Sequence, residues 1–332
     1  MEITRKNIKK KKKYRKVLFF ILSICLILLA VVGYKGYVTY TELNKITQGE
    51  EIKSIIRPKE VKVDVQEEPI SILFLGLEDY VTKGVNGRTD AMILATYNPK
   101  DQSLKTLSIP RDTYVDIVDF NVTSKINGAF ARGGIQTTVQ TIENFLHVPI
   151  DYYVTVNFDG FKNIVDEVGG VTVDVPFDFW EHTDSVPREK VYFTKGMQHL
   201  NGQEALAYAR MRKRDINNDF GRQERQRQVL SAILNELKSP KSILKTDTYA
   251  KEFSKNIRTN MGIGDAFKLY RSLPDDITAH IEPLSYTGKN ELINGIWYYV
   301  ADQSSVDDIS TKFRNHLEIT DNSVGKLTES AQ

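Results

Sequence analysis

Ile70–Arg111 reads ISILFLGLEDYVTKGVNGRTDAMILATYNPKDQSLKTLSIPR, and its pattern decides the fold. Three apolar runs, ISILFLGL (70–77), AMILATY (91–97) and LKTLSI (104–109), are separated by polar stretches. A near-continuous apolar run of this length, bounded by Gly or Pro, is the pattern of a strand buried on both faces. Working outward, IQTTVQTIENFLH (135–147) places Val139, Ile142, Phe145 and Leu146 at helical spacing behind an entry turn at Gly133-Gly134. YYVTVNF (152–158) is a further strand. DGFKNIVDEVGG (159–170) reads as a helix with Asp159 as N-cap and the glycine pair as its stop, and a strand returns at 171–175. Helices are expected near 204–210, 221–238, 248–260, 264–272 and 304–316. Strands alternating with helices predict an α/β domain, a central mixed β-sheet flanked by helices, over residues 68–318.

The chain has 332 residues and a net charge of +2, an average that hides an asymmetry. Residues 1–16 carry nine Lys/Arg against one Glu, so the remainder is mildly acidic. That balance argues against nucleic acid as a partner of the body, because the footprint of such binding is a basic domain. Cys25 is the single cysteine, which excludes disulfides, thiolate zinc sites and a cysteine nucleophile from the body. Val17–Tyr34 is 18 residues without a charge, long enough as a helix to cross most of a bilayer's roughly 30 Å hydrocarbon core. The organisation expected is a basic cytoplasmic tail (1–16), one N-terminal transmembrane helix (17–37), a charged stalk (38–67), the domain, and a polar tail (319–332). The positive-inside rule places the domain outside the cytoplasm, as a single-pass type II protein of the cell membrane. Beside such an anchor, the lysine-rich tail sets topology and meets anionic lipid of the bilayer.

The apolar runs end in charged clusters. Glu78-Asp79 follows the first, Arg88-Thr89-Asp90 leads into the second, and Arg111-Asp112 follows the third behind Pro110. Side chains at strand ends escape the core yet remain held by it, and ligands bind α/β sheets there. Carboxylate oxygens suit Mg²⁺, and the guanidinium fork suits phosphoryl oxygens, so the clusters together suggest a site for a metal ion and a phosphate.

A second cluster holds Arg210, Arg212 and Arg214, then Asp215, Asp219 and GRQERQRQVLSAILNELK. At 100° per residue, with Arg222 at 0°, Gln226 falls at about 40°, Val229 at about −20° and Ile233 at about 20°. Arg222 and Gln226 therefore extend the apolar stripe, while Arg227 at about 140° is expected to face away. An unpaired charge on a core-facing stripe is expensive. One reading is an Arg just past the core edge that snorkels to water; a phosphate bound near the helix N-terminus fits better, since that end attracts anions.

LFLGLED, GRTDAMILATYNP, LKTLSIPRDTYV, SKINGAFARGG, VGGVTVDVP, LNGQEALAYARMRKRD and DFGRQERQRQV follow one another in an order and spacing that resemble the LytR–CpsA–Psr family over residues 70–230. Members were first labelled transcriptional attenuators and are understood as phosphotransferases that move glycopolymers from a polyprenyl-pyrophosphate carrier to peptidoglycan. The resemblance implies metal carboxylates at Glu78 and Asp90, with Mg²⁺ bound and Mn²⁺ as a substitute. The family's usual Asp is replaced by Glu78, so Asp79 is the alternative first ligand. The resemblance further implies pyrophosphate contacts by Arg88, Arg111, Lys125, Arg210, Arg212, Arg222 and Gln226. The implied reaction is attack of a peptidoglycan sugar hydroxyl on the glycopolymer-side phosphorus, with polyprenyl phosphate leaving, and cleavage of the pyrophosphate without transfer as a side activity. Arg111 stabilises the developing charge, and Asp90 or Asp112 accepts the proton. The partners are then a polyprenyl-pyrophosphate-linked glycopolymer (wall teichoic acid, capsule or similar), the peptidoglycan acceptor and the bilayer.

Two other readings compete. A non-catalytic binder of polyprenyl phosphate or anionic glycan would need the same arginines. A membrane-bound transcriptional attenuator would need a cytoplasmic DNA-reading module, and 16 residues are too few to fold into one.

Overall fold

The computed structural model describes residues 36–42, 44–47, 49–57, 63–78, 87–217, 219–238 and 254–319. The apolar run 17–34 expected to form the anchor, the basic tail, Cys25, Asp79 and the C-terminal tail from 320 onward lie outside them. Among the described residues, no helix is long and apolar enough to cross a membrane.

β1 (Ile70–Glu78) runs antiparallel to β2 (Arg88–Asn98), which runs antiparallel to β3 (Ser103–Ser108). After β4 (Tyr114–Ile117), β5 (Val122–Lys125) and α1 (Gly128–Leu146), β6 (Tyr152–Asn157) joins β1 in parallel. Then follow α2 (Phe158–Val168), β7 (Val171–Val175), β8 (Phe179–His182), β9 (Lys190–Phe193), β10 (Gly196–Leu200), α3 (Gly202–Arg210) and α4 (Asp219–Lys238). β11 (Ile257–Thr259), α5 (Ile263–Ser272), β12 (Ile281–Leu284), β13 (Gly288–Ile293), β14 (Ile296–Ala301) and α6 (Gln303–His316) complete the order. The main sheet is β11-β6-β1-β2-β3-β12, with β1/β6 and β3/β12 parallel and the other neighbours antiparallel. It is mixed, as expected.

Both faces of this sheet are covered, which is why its strands read as unbroken apolar runs rather than alternating ones. Leu73, Leu75, Met92, Leu94 and Leu107 pack under α1 and α6 against Val139, Ile142, Val306 and Phe313. Ile70, Ile72, Tyr97 and Leu104 point the other way, with Leu234 of α4 and Leu269 and Leu273 of α5 over them. A second core joins α2, α3, β7 to β10 and α4 through Val165, Val173, Phe179, Tyr208, Val229 and Ile233. α4 is therefore buried on two faces, one toward each core.

Several local expectations change. The N-cap of α2 is Asn157, whose side chain accepts from the Gly160 N–H at 2.8 Å, and Asp159 sits in the first turn instead. The stop is as read: Gly169 and Gly170 take left-handed φ of 94° and 89°, which Gly adopts at no steric cost. α1 starts at Gly128, so Gly133-Gly134 is a break inside it rather than its entry. Residues 257–259, expected to be helical, form β11, because pairing Ile257, Arg258 and Thr259 with Val156, Thr155 and Val154 satisfies the edge of β6. The segment ahead of β1 lies along the body: Gly49 N–H donates to the Thr259 carbonyl at 3.1 Å, the Tyr153 hydroxyl donates to that of Glu50 at 3.1 Å, and Val63 and Val65 are buried.

Candidate active site

The register of β1 against β2 shifts between Gly76 and Leu77: Gly76 opposes Ala91, but Leu77 opposes Thr89. Asp90 is thus the extra residue of a β-bulge, a device that re-aims a side chain next to a site. A Cβ on Gly76 would come within 3.0 Å of that of Ala91, so the glycine permits the close strand approach. One step further on, Glu78 opposes Arg88. Burial raises the Glu78 carboxyl above its usual range and the neighbouring Asp90 charge adds to this, while Arg210, Arg111 and Arg88 pull it back.

The 109–113 loop is held by its own backbone. Ile109 N–H donates to the Met92 carbonyl at 2.8 Å, Thr113 N–H to that of Pro110 at 3.0 Å, Asn127 N–H to that of Arg111 at 3.2 Å, and Tyr299 N–H to that of Asp112 at 2.9 Å. The side chains are thereby aimed. Arg111 Nη1 donates to Asp90 Oδ1 at 2.8 Å. Lys125 Nζ donates to Asp112 Oδ1 at 2.7 Å, and Arg212 Nη1 stands 3.8 Å from Asp112 Oδ2. Arg210 ends α3, whose start is secured by a capping box between Asn201 and Glu204, and its guanidinium lies 5.2 Å from the Phe158 ring centre. Five cations (Arg88, Arg111, Lys125, Arg210, Arg212) thus meet three carboxylates (Glu78, Asp90, Asp112). The excess of positive charge suits a polyanionic ligand with phosphoryl oxygens.

On α4, Arg222 is buried on the stripe that also carries Val229 and Ile233, as the helical phase requires. Gln226 reaches the carbonyl of Ala209, next to Arg210, at 3.4 Å. Arg227 does not face away: it donates to the Ser108 hydroxyl at 3.3 Å at the end of β3, because the second face of α4 packs on the sheet. Beyond Arg227, Leu230 and Leu234 line an almost wholly apolar cavity of about 80 Å³ beneath α4 and α5, walled by Phe74, Ile93, Leu104 and Leu269. Arg214 leaves the cluster for the β8–β9 hairpin, lying 3.5 Å from the Trp180 ring centre and 3.4 Å from Glu181 Oε2.

Sequence reasoning missed Arg225. It is among the most buried side chains, pairing with Asp215 and donating to the Tyr208 carbonyl at 3.1 Å and to that of Met211. A Cβ at Gly221 would collide with Asp215, so the glycine lets α4 close over this pair. The signal was present in the phase: Arg225 falls at about −60°, beside Val229.

A family model described as the LytR_cpsA_psr family matches residues 34–315. This chain belongs to that family. Among LytR–CpsA–Psr relatives, the chain is 43% identical over 320 residues to the polyisoprenyl-teichoic acid–peptidoglycan teichoic acid transferase TagV of Bacillus subtilis, covering 94% of this chain and 82% of that one. It is 40% identical over 313 residues to the TagU transferase of Bacillus cereus, covering 92% and 99%. The crystal structure of B. subtilis TagV superposes with a TM-score of 0.69 at 45% identity, over 76% of this chain and 99% of that one. The LytR–CpsA–Psr motifs quoted above meet at these strand ends: LFLGLE carries β1 through the bulge, IPRD forms the backbone-pinned loop, and RMR brings Arg210 and Arg212.

Proposed function

We propose that this chain transfers a phosphate-linked anionic glycopolymer, of the teichoic acid kind, from a polyprenyl-pyrophosphate carrier to a peptidoglycan sugar hydroxyl. The observation that carries this reading is the adjacency of two environments. The cation-rich cluster lies at the strand ends, and Arg227, which donates to Ser108 at the end of β3, also lines the apolar seam under Leu230 and Leu234. A lipid pyrophosphate has the same two-part character.

In the proposed reaction the hydroxyl oxygen bonds to the glycopolymer-side phosphorus, and the bond from that phosphorus to the bridging oxygen breaks. Polyprenyl monophosphate departs with the electron pair, and the hydroxyl proton passes to Asp90 or Asp112. Arg111, Arg210 and Arg212 hold the phosphoryl oxygens and meet charge gathering on the leaving phosphate, which is where such chemistry needs stabilisation. Glu78 and Asp90 would hold Mg²⁺: their mutual repulsion fits a shared cation, and Mg²⁺ binds through one or two carboxylates plus substrate phosphates. When bound it would neutralise charge on the pyrophosphate. The basic tail and the 17–34 run would anchor the chain in the cell membrane with this site outside.

The test is reconstitution of the full-length chain in detergent with lipid-linked polymer and peptidoglycan. Metal-dependent release of polyprenyl phosphate, together with covalent polymer on the glycan, is expected. Leu234→Trp, which fills the seam, should raise KM for long-chain carriers more than for short-chain ones. Tight lipid binding without release would leave the non-catalytic binder reading standing instead.

A further inference from the structure

A second cavity, of about 200 Å³, opens at the end of β1 and β6 and is unlike the apolar seam. Its walls include Glu78, Thr155, Asn157, Lys255, Asn256 and Arg258, with Phe130 of α1 as the one aromatic ring. Amide, hydroxyl and cationic groups around a single ring face are what sugar hydroxyls and a pyranose face require. The volume falls below the roughly 300–1,000 Å³ of drug-sized sites, which sets the occupant at about one sugar unit.

Its position says which sugar. The apolar seam lies under α4 and α5, against β1, β2, β3 and β12. The polar cavity lies at the other half of the sheet, β1, β6 and β11, and on the α1 face, since Leu77 and Thr155 share the parity of Leu75 and Tyr153. Glu78 lines the polar cavity itself, and Asp90 lies beside it across the β1/β2 bulge, so the carboxylates adjoin this cavity. Phosphoryl transfer places attacking and leaving oxygens roughly in line on opposite sides of phosphorus. With the leaving lipid phosphate directed to the seam, the incoming hydroxyl arrives from the side of the polar cavity.

We propose that this cavity is the acceptor subsite, holding the peptidoglycan sugar whose hydroxyl attacks. It rests on the transferase reading above. Lys255 is exposed at the rim and Asn256 packs beside Gly160, and neither is among the five cations and three carboxylates described above.

The experiment measures binding of a GlcNAc–MurNAc tetrasaccharide to the full-length chain in detergent by calorimetry, beside binding of polyprenyl pyrophosphate. Lys255→Ala and Asn256→Ala should each weaken tetrasaccharide binding five-fold or more and leave the lipid affinity within two-fold. In the transfer assay they should raise the acceptor KM with kcat nearly kept. Should Asn256→Ala unsettle the fold, seen as a lowered melting temperature, Lys255→Ala carries the test. Unchanged tetrasaccharide affinity in both variants, or none in the wild type, overturns the proposal. A parallel loss of lipid-polymer affinity would assign the cavity to the donor and overturn it equally. If no polymer is ever transferred, the transferase reading fails, while the calorimetry still decides whether the cavity takes a sugar.

Discussion

β1 carries a carboxylate cluster at each end, and the two are partnered in opposite ways. At its start, Glu143 is fully buried and accepts from the Ser54 hydroxyl at 2.6 Å, Ile55 N–H at 2.7 Å and Ile150 N–H at 2.7 Å. Asp151 accepts there from Ser71 N–H at 2.9 Å and pairs with Arg57 at 3.2 Å. At its finish, Glu78, Asp90 and Asp112 are half-buried and meet an excess of cationic side chains. Backbone donors are fixed and neutral, so a carboxylate satisfied by them becomes part of the scaffold. Cationic side chains in excess of the carboxylates keep capacity for another anion. The first end clasps the 53–57 segment to the body, and the second is the candidate site. Neither acidic residues nor a cation as such separates the two ends, since Arg57 serves Asp151 at the first; the excess of cations over carboxylates does.

The hardest blow to the site end should come from Arg111→Ala. In the proposed reaction Arg111 meets transition-state charge, and its loss is expected to cut turnover by about 10³-fold. The melting temperature should move by only a few degrees, because Arg111 is partly exposed and its loop is held by backbone hydrogen bonds. Arg111→Lys should not restore full activity, since an ammonium lacks the bidentate fork. If the alanine variant unfolded, Arg111 would belong with the scaffold carboxylates' partners and the contrast would break.

Arg225 sharpens the comparison from the other side, being an arginine of the scaffold kind. Arg225→Ala strands Asp215 in the interior and should lose about 3–5 kcal/mol in chemical denaturation. The fraction that stays folded should retain affinity for polyprenyl pyrophosphate. A variant of near wild-type stability that no longer binds lipid would move Arg225 into the clamp.

The smallest effect is expected at Glu143. Burial pushes its carboxyl up to about 7 against the pull of the three hydrogen bonds it accepts. A carboxyl raised in the folded state binds more protons there than when unfolded. Its contribution is therefore fully present below about pH 4.5 and lost as pH rises toward 7. The stability of the wild type relative to Glu143→Gln should accordingly be greater at pH 5 than at pH 8, by roughly 1–3 kcal/mol. Comparing the two pH values removes the constant offset from the hydrogen bonds that Gln alters. The reverse sign would mean that the three donors outweigh burial.

Much of this was legible in residue order. The apolar runs at 70–77, 91–97 and 104–109 specify strands of a doubly covered sheet, because only burial on both faces tolerates such continuity. The ends of those runs expose Glu78, Asp90 and Arg111, and helical phase alone places Arg222 on the buried stripe of α4. These properties follow from side-chain periodicity along one element, which a linear string records. What the tertiary structure decided is how elements meet. Arg227 faces the sheet because α4 is covered on two sides, a fact of packing that a single stripe does not encode. The 257–259 segment became a strand because β6 had an edge to satisfy, and Asn157 displaced Asp159 as cap because β6 ends extended into α2. Asp90 owes its aim to a bulge set by the register of β1 against β2. Glu143 and Arg225, both without a sign of their role in the residues beside them, were assigned by partners as far as 89 and 17 positions away. Periodicity belongs to an element, whereas register, burial and partner choice belong to pairs of elements distant in sequence, and it is there that a charged residue becomes scaffold or site.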